Sequence, residues 1–152
     1  MNIFYLDTDI IKCAQSHCDK HCGKMIVETS QMLSTVVRLT GVEAGTKSFN
    51  PKHPCNLWAF KSLDNWLWLR DLGKSLGIEY FYRFGKYHKS LNVILSLPEP
   101  NIPRLGITDR PKAMPDVYKS DSVLESYRNY YKYDKVRFAK WTKRDTPKWM
   151  LT

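Results

Sequence analysis

From Ile11 to Val37, apolar residues return as Ile11, Ala14, Cys18, Cys22, Met25, Met32, Leu33 and Val36, with Thr29 in the same stripe. Steps of three and four predict one amphipathic helix over this stretch. Ahead of it, residues 2–6 read as a short strand or extended lead-in. Asp7, Thr8 or Asp9 then offers a side-chain oxygen to the first helical turn. Gly41 and Gly45 mark the exit, and the chain through Asn50-Pro51 and His53-Pro54 reads as a loop. A second helix is predicted from Pro54 or Asn56 to about Leu76, carrying Leu57, Trp58, Phe60, Leu63, Trp66, Leu67, Leu69 and Leu72, with Gly77 as its stop. Ile78–Lys89 predicts a third helical segment broken near Gly85. The run Ser90–Leu97 is too short to settle its own period between strand and helix. Five of the eight prolines fall between Pro98 and Pro115, which forbids a regular element and predicts a long irregular loop. Ser122-Val123-Leu124-Glu125 has capping-box spacing and opens a last helix through the basic C-terminal stretch. The pattern predicts a mainly α protein: a single compact helical domain with a short N-terminal extended segment and a long proline-rich loop.

A length of 152 residues suits one domain, and 43% hydrophobic residues are enough for a core. The opening has no basic region and its apolar run is broken by Asp7 and Asp9, unlike a signal or transit peptide. No stretch nears the roughly 18 apolar residues of a membrane span, so a soluble, intracellular protein is expected. None of the four cysteines forms a C-x-x-C pair, which excludes zinc-ribbon and thioredoxin spacings. Cys18 and Cys22 lie one turn apart and read as small apolar residues of a buried stripe. The formal charge is +9 and aromatics make up 13%. That balance points to polyanionic partners: nucleic acid, nucleotides or an acidic protein surface.

Three clusters carry candidate chemistry. On one continuous first helix, His21, Glu28, His17, Lys24 and Gln31 form a polar flank beside the apolar stripe, with Asp19 and Lys20 off it. A phosphate-bearing ligand suits these charges, with His17, His21 and Lys24 as donors and Glu28 as orienting group or base. His17 and His21 also have the i, i+4 spacing of metal ligands. H-E-x-x-H is absent, however, and Lys24 opposes a cation, so no metal is assigned. The second cluster, Arg83-Phe84-Gly85-Lys86-Tyr87-His88-Lys89 with Tyr80 and Tyr82 before it, interleaves cations with rings, as base stacking and phosphate pairing require. The third lies between Arg128 and Lys148. Arg128, Lys132, Lys135, Arg137, Lys140, Lys143, Arg144 and Lys148 stand there against Asp134 and Asp145, among Tyr, Phe and Trp side chains. A basic aromatic helix there suits a nucleic-acid backbone. Each cluster has a plain alternative, a solvated or docking helix face with its rings in the core. No phosphate-binding glycine loop or nucleophile motif accompanies them.

The chain resembles a group of small, mostly uncharacterised proteins of tailed bacteriophages. The resemblance rests on Asn2-Ile3-Phe4-Tyr5-Leu6-Asp7, on Cys18-Asp19-Lys20-His21 with Lys24 and Glu28, and on His53-Pro54-Cys55. It continues in Tyr82-Arg83-Phe84-Gly85-Lys86-Tyr87-His88 and Ala113-Met114-Pro115-Asp116. It implies a phage accessory protein in the cytoplasm of an infected bacterium and carries no activity or cofactor. Together the residues suggest a nucleic-acid or nucleotide site built from His17, His21, Lys24, His53, Arg83 and Lys86, with Glu28 or His88 as acid–base group. One form of this reading is an enzyme acting on DNA bases or nucleotides. The alternative is a non-catalytic binder that sequesters a nucleotide signal or blocks a host defence protein.

Overall fold

The single long helix expected over residues 11–37 is two helices. Helix α1 (Ile10–Ser16) ends at His17, and α2 (Asp19–Leu39) starts after Cys18, in a computed structural model that describes residues 1–152. The apolar period runs through the break because Cys13, Ala14, Cys18 and Cys22 are all buried. The end of α1 is closed by donors remote in sequence or in side chains. His17 Nδ1 donates to Cys13 O at 2.7 Å, and Trp141 Nε1 donates to Ser16 O at 2.9 Å. Arg83 donates to His17 O at 2.7 Å and to Gln15 O at 2.8 Å. A helix end leaves its last carbonyls without partners, and these four bonds supply them.

The expected second helix is likewise divided. Ser62 is extended, and its hydroxyl accepts from Asp64 N–H, which ends α3 (Pro54–Lys61) and caps α4 (Leu63–Phe84). Helix α4 runs on through Gly77, where a stop was expected, and absorbs most of the predicted third segment. Gly73 is a point of close approach: a Cβ there would lie 2.8 Å from Ile94 Cδ1 and 2.9 Å from Thr29 Cγ2. Gly85 closes α4 in the left-handed conformation, at φ 70°. The ambiguous run is helical, as α5 (Lys89–Ser96). Helix α6 (Val123–Tyr133) begins where the capping box predicts, with Ser122 Oγ accepting from Glu125 N–H at 3.1 Å. It stops at Asp134. The basic C-terminal stretch beyond it is irregular chain with short 3₁₀ turns at 135–137 and 148–151, not the continuing helix expected.

Helix α2 lies at the centre, against α3, α4 and α5, and α1 packs on α4. One hydrophobic cluster draws residues from all six helices, so the chain is a single helical domain. Residues 2–6 form no strand. They run as extended chain through the core, burying Ile3, Phe4 and Leu6. Asn2 Nδ2 donates to Ala113 O at 2.9 Å and Arg128 Nε donates to Leu6 O at 2.9 Å. The proline-rich loop is irregular but anchored. Trp58 Nε1 donates to Thr108 O and Thr108 N–H donates to Asn65 Oδ1, both at 3.0 Å. All four cysteines are buried free thiols. No helix is long and apolar enough to cross a membrane.

Candidate nucleic-acid interface

The break after α1 dissolves the polar flank that a straight helix would have carried. His17 is fully buried; with Nδ1 donating to Cys13 O, its Nε2 has no partner, and burial pushes its pKa down to about 4. His21 is buried on α2, stacked on Phe4 at 4.3 Å, with Nδ1 2.6 Å from the Tyr131 hydroxyl. Burial, helped by the surrounding His17, Lys135, Lys24 and Lys20, pushes its pKa down to about 3. A neutral imidazole accepts the Tyr131 proton, while the same phenol oxygen accepts from Cys18 N–H at 3.3 Å. Neither histidine presents a charged donor to solvent. No group of three His, Cys, Asp or Glu side chains is placed to hold a metal.

The remaining residues of the predicted composite site lie at separate levels of α2. Arg83 is 3% exposed and fully engaged: Nε meets Glu79 Oε2 at 2.7 Å and an end nitrogen meets Asp19 Oδ1 at 3.1 Å, beside its two carbonyl bonds. It ties helices together and is not a free phosphate donor. Glu28 accepts from Asn2 N–H at 2.9 Å and faces the Met1 amine at 3.3 Å and Lys24 at 3.9 Å. Nine residues separate Asp19 from Glu28, roughly 13 Å along the helix axis, so Arg83 and Glu28 do not share a site. His53 and His88 are both N-caps, whose Nδ1 atoms accept from Cys55 N–H and Ser90 N–H at 3.1 Å. Burial, reinforced at His53 by the Met1 amine, holds both below the ordinary histidine range. His53 lies by Glu28, whereas His88 packs on Tyr80 at 5.0 Å, so the two acid–base candidates are not paired.

A different set of residues does come together. Lys20, Lys24 and Val27 form the exposed ridge of α2, at i, i+4 and i+7. On one side of this ridge α4 closes on Gly23, where Tyr80 would sit 3.2 Å from an added Cβ, and Tyr80 carries Phe84 at 5.0 Å. On the other side lies Phe138, with Lys20 Nζ over its ring at 4.6 Å and Lys135 Nζ at 5.9 Å. Beyond Phe84, at the end of α4, the Phe81 and Tyr87 rings stack at 4.5 Å, and Tyr87 is 77% exposed. Tyr82 lies under Arg144 at 4.2 Å and Lys143 at 5.7 Å. Lys86 and Lys89 are exposed beside them.

The acids of this region face inward. Asp19 is committed to Arg83 and to Thr142, whose hydroxyl donates to Oδ2 at 2.6 Å; Glu79 is committed to Arg83 and Arg144. Lys20 therefore keeps its charge outward beside the Phe138 ring, while Lys24, also exposed, stands 3.9 Å from Glu28. The C-terminal cations divide in the same way. Arg144 turns in to Glu79, and Arg128 turns in to Leu6 O, Asp7 and the Trp149 ring, so both brace the tail. Lys132 reaches the Thr152 hydroxyl at 3.5 Å, Lys143 reaches Tyr82 O at 3.3 Å, and Lys135 pairs with Asp134 at 3.3 Å while lying over Tyr130. Arg137 and Lys140 are exposed.

Lys20, which a single straight helix puts off the polar flank, is the member that sequence reasoning missed; Phe138 belongs to the C-terminal cluster, but its place beside Lys20 was not foreseen. The i, i+4 pair Lys20 and Lys24 was a visible signal; the arrival of Phe138 beside it depends on how the tail folds back. Comparison of the chain with protein-family models, with characterised proteins and with solved structures gives no match. What fold and site define is therefore a physical class: an all-helical domain with an outward lysine ridge between aromatic flanks.

Proposed function

We propose that this protein binds a nucleic-acid strand with accessible bases along the face built from α2, the end of α4 and the returning C-terminal segment. Lys20, Lys24, Lys86, Lys89, Arg137 and Lys140 pair with phosphates; Phe84 and Tyr87 offer ring faces to bases. The observation that carries this reading is the sorting of charge. Asp19 and Glu79 are spent on Arg83, Thr142 and Arg144, while Lys20, Lys86 and Lys89 stand exposed next to aromatic rings. Phosphate pairing supplies affinity without sequence preference, and ring stacking favours single strands over a closed duplex. The protein acts as a binder: Glu28 is held by the chain's first residues, and His53 and His88 spend one nitrogen each on helix caps. The resemblance to phage proteins implies an accessory factor in the cytoplasm of an infected bacterium.

Fluorescence anisotropy with labelled single- and double-stranded DNA at 50 and 200 mM salt tests this. Six phosphate contacts lower affinity over that range roughly 300-fold on single strands. Single strands bind more tightly than duplex. Absence of binding, or affinity indifferent to salt, removes the reading.

A second reading has its own observation. Ile11 and Ile78 stand exposed beside Tyr82 and the Phe81–Tyr87 stack, which suits a protein partner better than a phosphate backbone. Under it the protein blocks a host protein stoichiometrically. Ile78→Asp then abolishes the effect on the host while leaving DNA affinity intact.

A further inference from the structure

The protein buries two arginines and treats them in opposite ways. Arg83 has two carboxylates and two carbonyls for its guanidinium. Arg110, 8% exposed, lies among aromatic rings, with its guanidinium carbon 4.0 Å from the Trp68 ring centre, 4.2 Å from Tyr5 and 5.6 Å from Trp58. No carboxylate pairs with it, and its Nε is enclosed without an acceptor. The rings cover the faces of the guanidinium and enclose Nε, and only the terminal nitrogens, which no acceptor of the chain engages, are left open. A buried charge without a partner is strongly disfavoured, and unsatisfied buried donors are rare in native proteins.

The backbone around Arg110 is pinned on both sides. Thr108 is held by Asn65 and Trp58, and Pro111 O accepts from the Tyr127 hydroxyl. The side chain is thus held in place by the loop as well as by the rings. Its terminal nitrogens form the kind of preorganised fork that binds carboxylate and phosphate through two parallel hydrogen bonds.

We propose that Arg110 anchors a small-oxyanion site, in which the open edge of its guanidinium takes a phosphate or carboxylate group beside Tyr5 and Trp68. The ligand is a small molecule carrying such a group. The site is separate from the lysine ridge on α2 and does not depend on the nucleic-acid reading.

Trp58 and Trp68 make the test direct, because both indoles touch the cation. Tryptophan fluorescence and thermal unfolding are followed during titration with inorganic phosphate and, separately, acetate, with sodium chloride keeping ionic strength constant. At least one oxyanion changes the fluorescence saturably and, at a hundredfold excess over its Kd, raises Tm by roughly 5–10 °C. The stronger of the two identifies the preferred head group. Arg110→Met abolishes the response, and Arg110→Lys, which keeps the charge but loses the fork, weakens binding roughly tenfold or more. The lysine variant keeps the test open if the methionine variant does not fold. Lack of a saturable response to either oxyanion overturns the proposal, as does an equal response in the Arg110→Lys protein. Because the probes are inorganic phosphate and acetate, that failure leaves the DNA-binding experiment untouched.

Discussion

Arg83 on α4 and Asp19 at the start of α2 meet at 3.1 Å, across the gap where α1 ends and α2 begins. Asp19 in turn accepts from the Thr142 backbone N–H at 2.9 Å, so one carboxylate joins the helix start, α4 and the C-terminal segment. Glu79 repeats the arrangement one layer along α4, between Arg83 and Arg144. The face proposed for nucleic acid stands on this inward network.

Replacing Arg83 by Met therefore takes one of two cationic partners from Glu79, which keeps Arg144, and leaves two helix-end carbonyls in the interior without their donors. Loss of one partner from a buried ion pair costs about 3–5 kcal/mol, readable as a lower urea midpoint. A loss under about 1 kcal/mol, the size of an ordinary surface change, shows that the network is not what holds the break together.

Acid should destabilise the protein in two stages. His17 and His21 are held neutral, with values pushed down to about 4 and about 3 from 6.5, so the unfolded chain takes up their protons first as pH falls. Their contribution is complete above pH 6.5 and is withdrawn progressively toward about 4. Burial pushes Asp19 and Glu79 upward, but hydrogen bonds from Thr142 and Arg83, and from Arg144 and Arg83, outweigh it and leave both below their ordinary values. Their contribution is present above the unfolded carboxylate range, about pH 4, and is lost below it. Urea midpoints at pH 7.5, 6 and 5 should fall in that order, and His17→Gln should flatten the decline. An unchanged midpoint down to pH 5 contradicts neutral burial of the two imidazoles.

The thiols should be silent in the folded protein. Burial pushes Cys13 up to about 11 and Cys22 and Cys55 up to about 12, and Cys18 is fully enclosed. A thiol-specific chromogenic reagent should find none in native protein and four per chain in urea. Rapid reaction of even one native thiol shows that its surroundings open.

Variants on the ridge separate phosphate pairing from stacking. Lys20→Ala and Lys24→Ala should each flatten the salt dependence of single-stranded DNA binding by about 0.7 in log–log slope. Tyr87→Ala should leave the slope unchanged and weaken binding by about 1–3 kcal/mol. Unaltered slopes in both lysine variants move the interface elsewhere.

Gly73→Ala tests the contact of α4 with α2 and α5. A better helix former stabilises an exposed helix by about 1 kcal/mol, yet here the methyl group meets Ile94 and Thr29. Overpacking of that kind costs about 1–3 kcal/mol, so net destabilisation is expected. A stabilised variant means the core yields more readily than its spacing suggests.

The local signals in the sequence were sufficient for the helical class, the capping box at Ser122, the break near Gly85 and the irregular proline-rich loop, but not for the stop placed at Gly77. The breaks at His17–Cys18 and at Ser62 were hidden because apolar residues on both sides face the same core and preserve the period. The long basic helix expected beyond Asp134 was misread for the opposite reason: its aromatic residues pack on three different elements, not along one stripe. Among site residues, Lys24 and Lys86 stand exposed. Arg83, His17 and His21 carry the same chemical types as a phosphate site but spend them in the interior. Only their partners, 60 to 110 positions away in some cases, distinguish the two uses.

The extended segment at residues 2–6 sets an order of events during synthesis. Its hydrogen bonds join Asn2 to Ala113 and Leu6 to Arg128, separations of 111 and 122 residues. A ribosome must therefore expose the chain through Arg128 before residues 2–6 can take their seats. Until then Ile3, Phe4 and Leu6 have no complete pocket, and the nascent chain carries an unsheltered apolar segment. Closing so wide a loop makes seating of this segment a late step in folding, and the helices must hold their arrangement long enough to receive it.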